Sequence, residues 1–224
     1  MTIRLAALDM AGTTVTDDGL VEQSFLAALE AVGIPRDDPA MPARLAHVQA
    51  TMGQSKIEVF RGLLDEEATA QAATRAFEVA VAERVGAGVV TPLPGAEAAL
   101  DRLRDQGVLV CLTTGFAPET QALIVDRLGW AARVDLLLAP GPGIRGRPHP
   151  DLVLTAVLRL GLDDVREVAV AGDTANDLLA GWRAGAGIVA GVLTGAHSRA
   201  ELAAAPHTHL LASVADLPDI VARS

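Results

Sequence analysis

Four short stretches of the sequence carry side chains that could act on a phosphoryl group. The first is an apolar run that ends in Asp9 and passes into a small-residue loop, Met10-Ala11-Gly12-Thr13-Thr14. This pattern predicts a buried parallel strand followed by a tight turn, with Asp9 at the carboxyl end of the strand. A carboxylate there can attack phosphorus, bind a divalent cation or cap a helix, and this stretch alone leaves all three open.

The other three stretches add hydroxyl groups, a cation and two more acids. Thr113-Thr114-Gly115-Phe116 offers hydroxyl and backbone N–H donors to an anion, and Arg147 could neutralise phosphoryl oxygens. Asp173 and Asp177 lie four residues apart, and Asp173 could share one Mg²⁺ with Asp9, because Mg²⁺ prefers hard oxygen ligands. Each residue alone is more often a helix cap or part of an ion pair. Their order at four predicted strand ends favours a site for phosphoryl transfer.

A single amine stands apart among the basic residues. Of the 18 lysines and arginines, 17 are arginines and the remaining one is Lys56. Arginine neither loses its proton at ordinary pH nor forms an imine, whereas lysine can do both. Lys56 is therefore a candidate nucleophile toward a carbonyl group. The alternative is a surface lysine without a role.

Helix and strand patterns predict how these residues come together. Residues 17–88 show helical periodicity without an intervening strand, with helices at 21–32, 42–51, 55–64 and 68–85. From residue 89 onward helices and strands alternate, with strands at 108–113, 134–138, 167–172, 188–193 and 208–212. Such alternation predicts an α/β fold, a doubly wound (Rossmann-like) parallel sheet with helices on both faces. We expect a core formed by residues 1–16 and 89–224 and an inserted all-helical cap domain formed by residues 17–88.

Composition excludes several classes of function. The 224 residues carry a formal charge of −10, with 3% aromatic residues and no tyrosine, which argues against a nucleic-acid partner. No run approaches 18 consecutive apolar residues, so we expect no membrane span. The residues before the first strand leave no room for a signal peptide, and the one cysteine, Cys111, fits a reducing compartment. We expect a cytoplasmic protein.

The four stretches together resemble the haloacid dehalogenase superfamily over essentially the full length of the chain. In that family the Asp of the first strand is the nucleophile, a Thr or Ser and a later Lys or Arg bind phosphate, and a Gly-Asp-x-x-x-Asp loop holds Mg²⁺. The resemblance implies these roles for Asp9, Thr114 and Arg147, and a magnesium site made by Asp9, the carbonyl of Ala11, Asp173 and Asp177. The family's usual general acid, an Asp two residues after the nucleophile, is Ala11 here.

One branch, the phosphonoacetaldehyde hydrolases (phosphonatases), is similar to this sequence in more detail. It shares Asp-x-Ala-Gly-Thr-Thr, Thr-Thr-Gly and Gly-Arg-Pro, and a lysine in its cap forms a Schiff base with the substrate aldehyde. The matching cap stretch here is Met52-Gly53-Gln54-Ser55-Lys56. A carbon leaving group released as an enamine needs no general acid, which is consistent with Ala11. Two positions depart from the branch: its His three residues after the lysine is Val59, and its Tyr after Thr-Thr-Gly is Phe116.

The resemblance implies a magnesium-dependent hydrolase that cleaves the C–P bond of a phosphonoacetaldehyde-like oxo-phosphonate. It also implies a homodimer, and a cap that moves on hinges near residues 16–18 and 89–94. The further substrate-binding candidates are Ala11, Gly12, Thr13, Met52, Gly53, Thr113, Gly115 and Phe116. The alternative enzyme is a phosphatase that acts on a small phosphate monoester. A non-enzymatic receiver-like domain is disfavoured, because receivers are much shorter and use a lysine late in the fold.

Overall fold

The computed structural model describes residues 2–224 and consists of one parallel sheet covered by helices. The strands are β1 (Leu5–Asp9), β2 (Leu109–Thr113), β3 (Leu136–Leu138), β4 (Val168–Gly172), β5 (Ile188–Val192) and β6 (His209–Leu211). The helices are α1 (Leu20–Ala31), α2 (Met41–Ala50), α3 (Lys56–Leu63), α4 (Glu67–Gly86), α5 (Ala96–Asp105), α6 (Pro118–Arg127), α7 (Asp151–Leu160), α8 (Ala175–Ala184), α9 (Arg199–Ala204) and α10 (Leu217–Val221). The predicted α/β, doubly wound fold is confirmed.

The strand order brings three of the candidate residues to one edge of the sheet. All neighbouring strands are parallel and follow the order β3-β2-β1-β4-β5-β6, so the chain fills one side of β1 and then crosses to the other. Ligands of open α/β sheets bind at the carboxyl ends of the strands where this reversal occurs. Asp9 and Thr113 end β1 and β2, and Asp173 directly follows β4.

The central strand is buried on both faces. Every residue of β1 is buried, as expected for a parallel strand between two helical layers. Leu5 and Ala7 pack in a cluster with side chains of α7, whereas Ala6 and Leu8 pack in a second cluster with side chains of α5. Asp9 is therefore the first residue of this strand that carries a charge, and it is fixed by a fully packed segment.

Helices α1 to α4 form the insertion between β1 and β2. Their interior is aromatic: the ring centroids of Phe25, Phe60 and Phe77 lie 4.7–6.2 Å apart. Such rings contribute both apolar burial and edge or offset contacts. The insertion thus has apolar side chains of its own at its centre.

The two linkers that join the insertion to the sheet pair with each other. Thr16 N donates to the carbonyl of Thr91 over 2.8 Å, and Leu93 N donates to the carbonyl of Thr14 over 3.0 Å. The outgoing and returning chains therefore cross side by side at the base of the insertion.

Helix α9 is an element for which the sequence patterns above give no prediction. It covers the alanine-rich residues between β5 and β6. Its first turn is closed by a capping box in which Ser198 and Glu201 satisfy each other's backbone N–H groups. The spacing Ser-x-x-Glu is the sequence signal for this helix.

Among residues 2–224, no helix combines the length and the apolar character that a bilayer crossing requires.

Candidate active site

Asp9 lies at the end of β1 with its carboxylate buried against a guanidinium. Its side chain is 7% exposed, and Oδ1 accepts a hydrogen bond from Arg147 Nη1 over 2.5 Å. Burial raises the pKa of the Asp9 carboxyl to about 6, and Asp177 adds to the rise, although the Arg147 charge opposes it. The structure therefore holds a carboxylate that is poorly hydrated, oriented and close to a permanent cation.

Arg147 precedes α7 and joins two acids from different elements, Asp9 of β1 and Asp177 of α8. The same Nη1 atom that donates to Asp9 also donates to Oδ1 of Asp177, and the guanidinium is 4% exposed. The Nε–H group is buried without a hydrogen-bond partner among the described residues. An unpaired N–H group at this place is a donor available to an anion. The ion pairs of Arg147 are therefore buried and do not lie at the surface.

Asp173 and Asp177 lie at the start of α8 but have different surroundings. Asp177 belongs to the capping box of α8, because Oδ2 accepts from Thr174 N over 3.1 Å and from Thr174 Oγ1 over 2.5 Å. Asp173 does not cap the helix. Its Oδ1 accepts from Thr13 Oγ1 over 3.2 Å and its Oδ2 from Ala196 N over 2.6 Å.

The three acids form a group that fits a divalent cation. Asp9, Asp173 and Asp177 each offer a carboxylate oxygen, and these oxygens lie within 4.8 Å of one another. Burial, followed by the charges of Asp9 and Asp177, raises the pKa of Asp173 well above its usual value. Three buried carboxylates and one guanidinium leave a net negative charge, and all the acid donors are hard oxygens, as Mg²⁺ prefers. The residues present therefore fit the metal that the sequence predicts.

Lys56 is the first residue of α3, and its amine is enclosed by aromatic rings. Nζ lies 5.6 Å from the ring centroid of Phe25, 5.4 Å from Phe77 and 5.3 Å from Phe116. The residue is 6% exposed. Burial lowers the pKa of the Lys56 amine to about 8, the Arg147 charge adds to this effect, and nearby carboxylates oppose it. The helix N-terminus also disfavours a cation there.

The loop before Lys56 contacts the sheet edge closely because two glycines leave room. Gly53 has a φ of +84°, and a Cβ there would lie 2.6 Å from Thr174 Oγ1. A Cβ on Gly115 would overlap the carbonyl oxygen of Gln54. Asn176 Nδ2, on α8, donates to the carbonyl of Met52 over 2.6 Å. These contacts hold residues 52–55 against the loops that follow β2 and β4.

One cavity of about 250 Å³ collects most of the predicted residues. Lys56 of the insertion lines it together with Asp9, Arg147 and Asp173 of the sheet edge. The other predicted residues in its lining are Ala11, Met52, Gly53, Thr114, Gly115 and Phe116. Thr114 faces the cavity with its hydroxyl accepting from Phe116 N over 3.2 Å, so it is not the cap of α6.

Four predicted residues lie outside the lining of this cavity. Asp177 is behind Arg147 and Thr174, as described above. Thr13 directs its hydroxyl to Asp173, and Thr113 donates to the carbonyl of Leu8 over 3.4 Å. The carbonyl of Gly12 accepts from Thr194 Oγ1 over 2.7 Å. Asp177, Thr13 and Gly12 thus bond to residues that line the cavity, whereas Thr113 bonds to the residue before Asp9.

Several residues around the cavity were not found from the sequence. Phe25 and Phe77 occupy apolar positions of their helices and give no signal that they face an amine. Asp17 lines the cavity from the first linker, and Glu78 lies near Lys56 from α4. Residues 194–196, which follow β5, also line the cavity. Their place at a strand end in the same sheet is the one signal that could have drawn attention to them.

Comparison with known proteins assigns the chain to a family. The model for haloacid dehalogenase-like hydrolases matches residues 3–185. The chain belongs to this family. The α/β sheet and the acid group at its carboxyl edge are thus those of a hydrolase.

Similar proteins carry two different names. "Probable phosphatase IndB" of Dickeya dadantii (strain 3937) is 30% identical over 209 residues, which are 90% of this chain and 86% of that protein. The phosphonoacetaldehyde hydrolase of Nitratidesulfovibrio vulgaris (strain DSM 19637 / Miyazaki F) is 25% identical over 204 residues, 86% of this chain and 72% of that protein.

Solved structures share the fold. A hydrolase from Pseudomonas syringae superposes with a TM-score of 0.84 at 22% identity, covering 98% of both chains. A phosphonoacetaldehyde hydrolase-like protein from Oleispira antarctica superposes with a TM-score of 0.82 at 21% identity, covering 100% of this chain and 92% of the other. These likenesses extend through the helical insertion as well as the sheet.

Proposed function

We propose that this hydrolase cleaves the C–P bond of a small oxo-phosphonate of the phosphonoacetaldehyde type. The observation that carries the proposal is the place of the chain's only lysine. Its amine is buried, has a lowered pKa, and lines the same cavity as Asp9 and Arg147. Hydrolysis of a phosphate ester needs no imine, whereas cleavage of a bond to carbon requires an electron acceptor next to that carbon.

In the first step Lys56 acts as the nucleophile. The neutral amine adds to the substrate carbonyl, and loss of water leaves a protonated imine on Nζ. A pKa of about 8 leaves far more neutral amine at pH 7.5 than the usual value of a lysine does, by roughly two orders of magnitude. The imine nitrogen then draws electrons from the neighbouring C–P bond.

In the second step Asp9 attacks phosphorus. A new O–P bond forms at the Asp9 carboxylate, the C–P bond breaks, and its electron pair passes into an enamine on Lys56. Arg147 and Thr114 bind the phosphoryl oxygens during the transfer. The enamine takes a proton on carbon and is hydrolysed to the aldehyde and free Lys56, while a second water releases phosphate from Asp9.

The acid group supports this chemistry by holding a metal. Asp9, Asp173, Asp177 and the carbonyl of Ala11 are the groups that would hold Mg²⁺, which when bound supplies positive charge that offsets the repulsion between the phosphonate and the carboxylates. The residues 1–16 and 89–224 supply this acid group. Residues 17–88 supply the amine, so we propose that they act as a cap whose closure completes the site.

The first test is release of inorganic phosphate from phosphonoacetaldehyde and other oxo-phosphonates in the presence of Mg²⁺. We expect activity in the wild type and none in Lys56→Arg, since arginine keeps the charge but forms no imine. Borohydride added with the substrate should attach its carbon skeleton to the Lys56 peptide, detected by mass spectrometry. Full activity in Lys56→Arg would remove the imine from the mechanism.

A phosphatase acting on a small monoester is the second candidate. It is favoured by the name of the 30% identical relative and by the two departures at Val59 and Phe116. A panel of sugar and nucleotide monophosphates separates the two. Higher kcat/KM for a monoester than for every oxo-phosphonate, unchanged in Lys56→Arg, would establish the phosphatase.

A further inference from the structure

Glu78 joins the helical insertion to the loop that lines the cavity. It lies on α4, and its carboxylate accepts from Ala117 N over 3.1 Å and from Thr120 Oγ1 over 2.5 Å. Both donors belong to the first turn of α6 and its flanking residue, directly after the loop with Thr114 and Phe116. A single side chain of the insertion thus satisfies two donors of the sheet domain.

Glu78 lies next to the aromatic enclosure of the Lys56 amine in the chain. Its neighbour Phe77, and Phe116, which precedes its partner Ala117, are two of the three rings around Lys56 Nζ. Lys56 and Glu78 also line one groove of about 820 Å³ that runs between the insertion and the sheet domain.

The charges of four residues from four segments act on the Lys56 amine. Arg147, before α7, disfavours the protonated amine, whereas Glu78 on α4, Asp9 on β1 and Asp17 in the linker before α1 favour it. Asp9 already pairs with Arg147, and Asp17 accepts from Val21 N over 2.9 Å. Glu78 itself faces Lys56 and Glu119.

The chemistry proposed above changes the charges around the amine. Imine formation leaves a positive charge on Nζ, while Asp9 spends its own negative charge when it forms the bond to phosphorus. Glu78 takes no part in either bond change. It therefore keeps its charge through both steps.

We propose that Glu78 is a positioning residue for Lys56: it holds the insertion against the first turn of α6 and is the counter-charge of the buried amine and of the imine formed from it. The part that concerns the imine rests on the proposed function. The part that concerns the free amine does not, so the two can be tested apart.

The test uses the fact that the chain has one lysine. Reductive methylation with formaldehyde and cyanoborohydride, followed by mass spectrometry of the Lys56 peptide, gives the labelling rate as a function of pH without any substrate. In Glu78→Gln we expect the midpoint of this profile to fall by roughly half a pH unit, because a charge that favours the cation is lost. Glu83→Gln, the same change one to two turns along α4, should leave the midpoint unchanged.

Thr120→Val separates charge from packing. It removes a donor to Glu78 but leaves the carboxylate. If Glu78 only caps α6, this variant should have the same effect on the labelling midpoint as Glu78→Gln. The proposal predicts no fall of the midpoint. A wild-type midpoint in folded Glu78→Gln overturns the proposal. If that variant does not fold, Glu78→Asp moves the charge by one methylene: a smaller fall supports the proposal, and no fall or a rise overturns it.

Turnover adds an independent readout. In Glu78→Gln we expect kcat for the oxo-phosphonate to fall by at least about tenfold, as for loss of one fixed charge near a developing one. If no oxo-phosphonate is cleaved by the wild type, the proposed function fails, but the labelling midpoint still decides the role of Glu78.

Discussion

A protonated amine loses its hydration inside an aromatic enclosure. At Lys56 this loss outweighs the attraction of the cation to its neighbours. Ring faces within 6 Å attract a cation, and three rings satisfy this limit. Even so, the pKa of about 8 lies below the usual 10.5, so the loss of hydration is the larger effect. The residue is therefore better suited to react as a base than to pair as a cation.

This imbalance predicts that Lys56 lowers the stability of the fold. We expect Lys56→Met, of similar length and without charge, to raise the free energy of unfolding at pH 7 by about 3 kcal/mol, the value implied by the lowered pKa. Urea unfolding followed by circular dichroism measures it.

The gain in stability of Lys56→Met over the wild type should decrease as the pH rises. The folded-state pKa is below the unfolded one, so the wild type carries the full cost below pH 8 and loses it as the pH rises toward 10.5. The difference between Lys56→Met and wild type should therefore shrink by about 2 kcal/mol between pH 7 and pH 9.5. A difference that is constant with pH would mean that packing, not charge, sets the stability of the variant.

At the scale of elements, the strand ends were predictable and the enclosure of the amine was not. Asp9 and Asp173 end apolar runs, and parallel strands bring their ends to one edge, so a local pattern was sufficient. Phe25 and Phe77 lie 31 residues before and 21 residues after Lys56 and have the spacing of ordinary core residues. Their meeting depends on how α1, α3 and α4 pack, which periodicity does not determine.

Glu78 illustrates the same limit for a polar residue. In the sequence it is one of several acids on a long helix, and nothing local separates it from Glu83. Its role arises because α4 packs against α6, where Ala117 and Thr120 need an acceptor. Contacts between elements that are distant in the chain are thus not encoded in any local pattern.

The contact between the loop before α3 and the loop after β2 sets where the amine sits. Because a Cβ on Gly115 would overlap the Gln54 carbonyl, we expect Gly115→Ala to displace residues 52–56 while the sheet stays folded. A displacement of about 1 Å can cost roughly 10²-fold in rate, and we expect a loss of that size in kcat/KM, measured as phosphate release.

Gly86→Ala is the matched control for that change. Its Cβ would meet only Arg127 Nη2, at 3.8 Å, and its place in α4 favours alanine. It should therefore keep wild-type activity. Equal loss in both variants would show that the effect is not one of cap position.

At the scale of the whole molecule, residues of the helical insertion and of the sheet edge line one cavity. The acids come from the sheet, the amine comes from the insertion, and the paired linkers at Thr16 and Thr91 are the covalent connections between them. Direct bonds such as that between Asn176 and the Met52 carbonyl add to this connection. A change that stabilises the sheet edge should therefore also affect the position of the insertion.

We expect the acid group to make the stability of the fold depend on a divalent cation. Asp9, Asp173 and Asp177 repel one another in a buried place with one guanidinium, so Mg²⁺ should bind the folded chain and raise its melting temperature. At a Mg²⁺ concentration of 100 times Kd the gain in the free energy of unfolding is about 2.7 kcal/mol, or a rise of roughly 5–10 °C in melting temperature for a chain of this size.

Asp173→Asn should melt higher than wild type in EDTA, because one buried charge is gone, and should gain less from Mg²⁺. Exposed Asp105→Asn should behave as wild type in both conditions. Scanning calorimetry at matched ionic strength decides it: equal melting temperatures of the wild type in EDTA and in Mg²⁺ would mean that the carboxylates do not form a metal site.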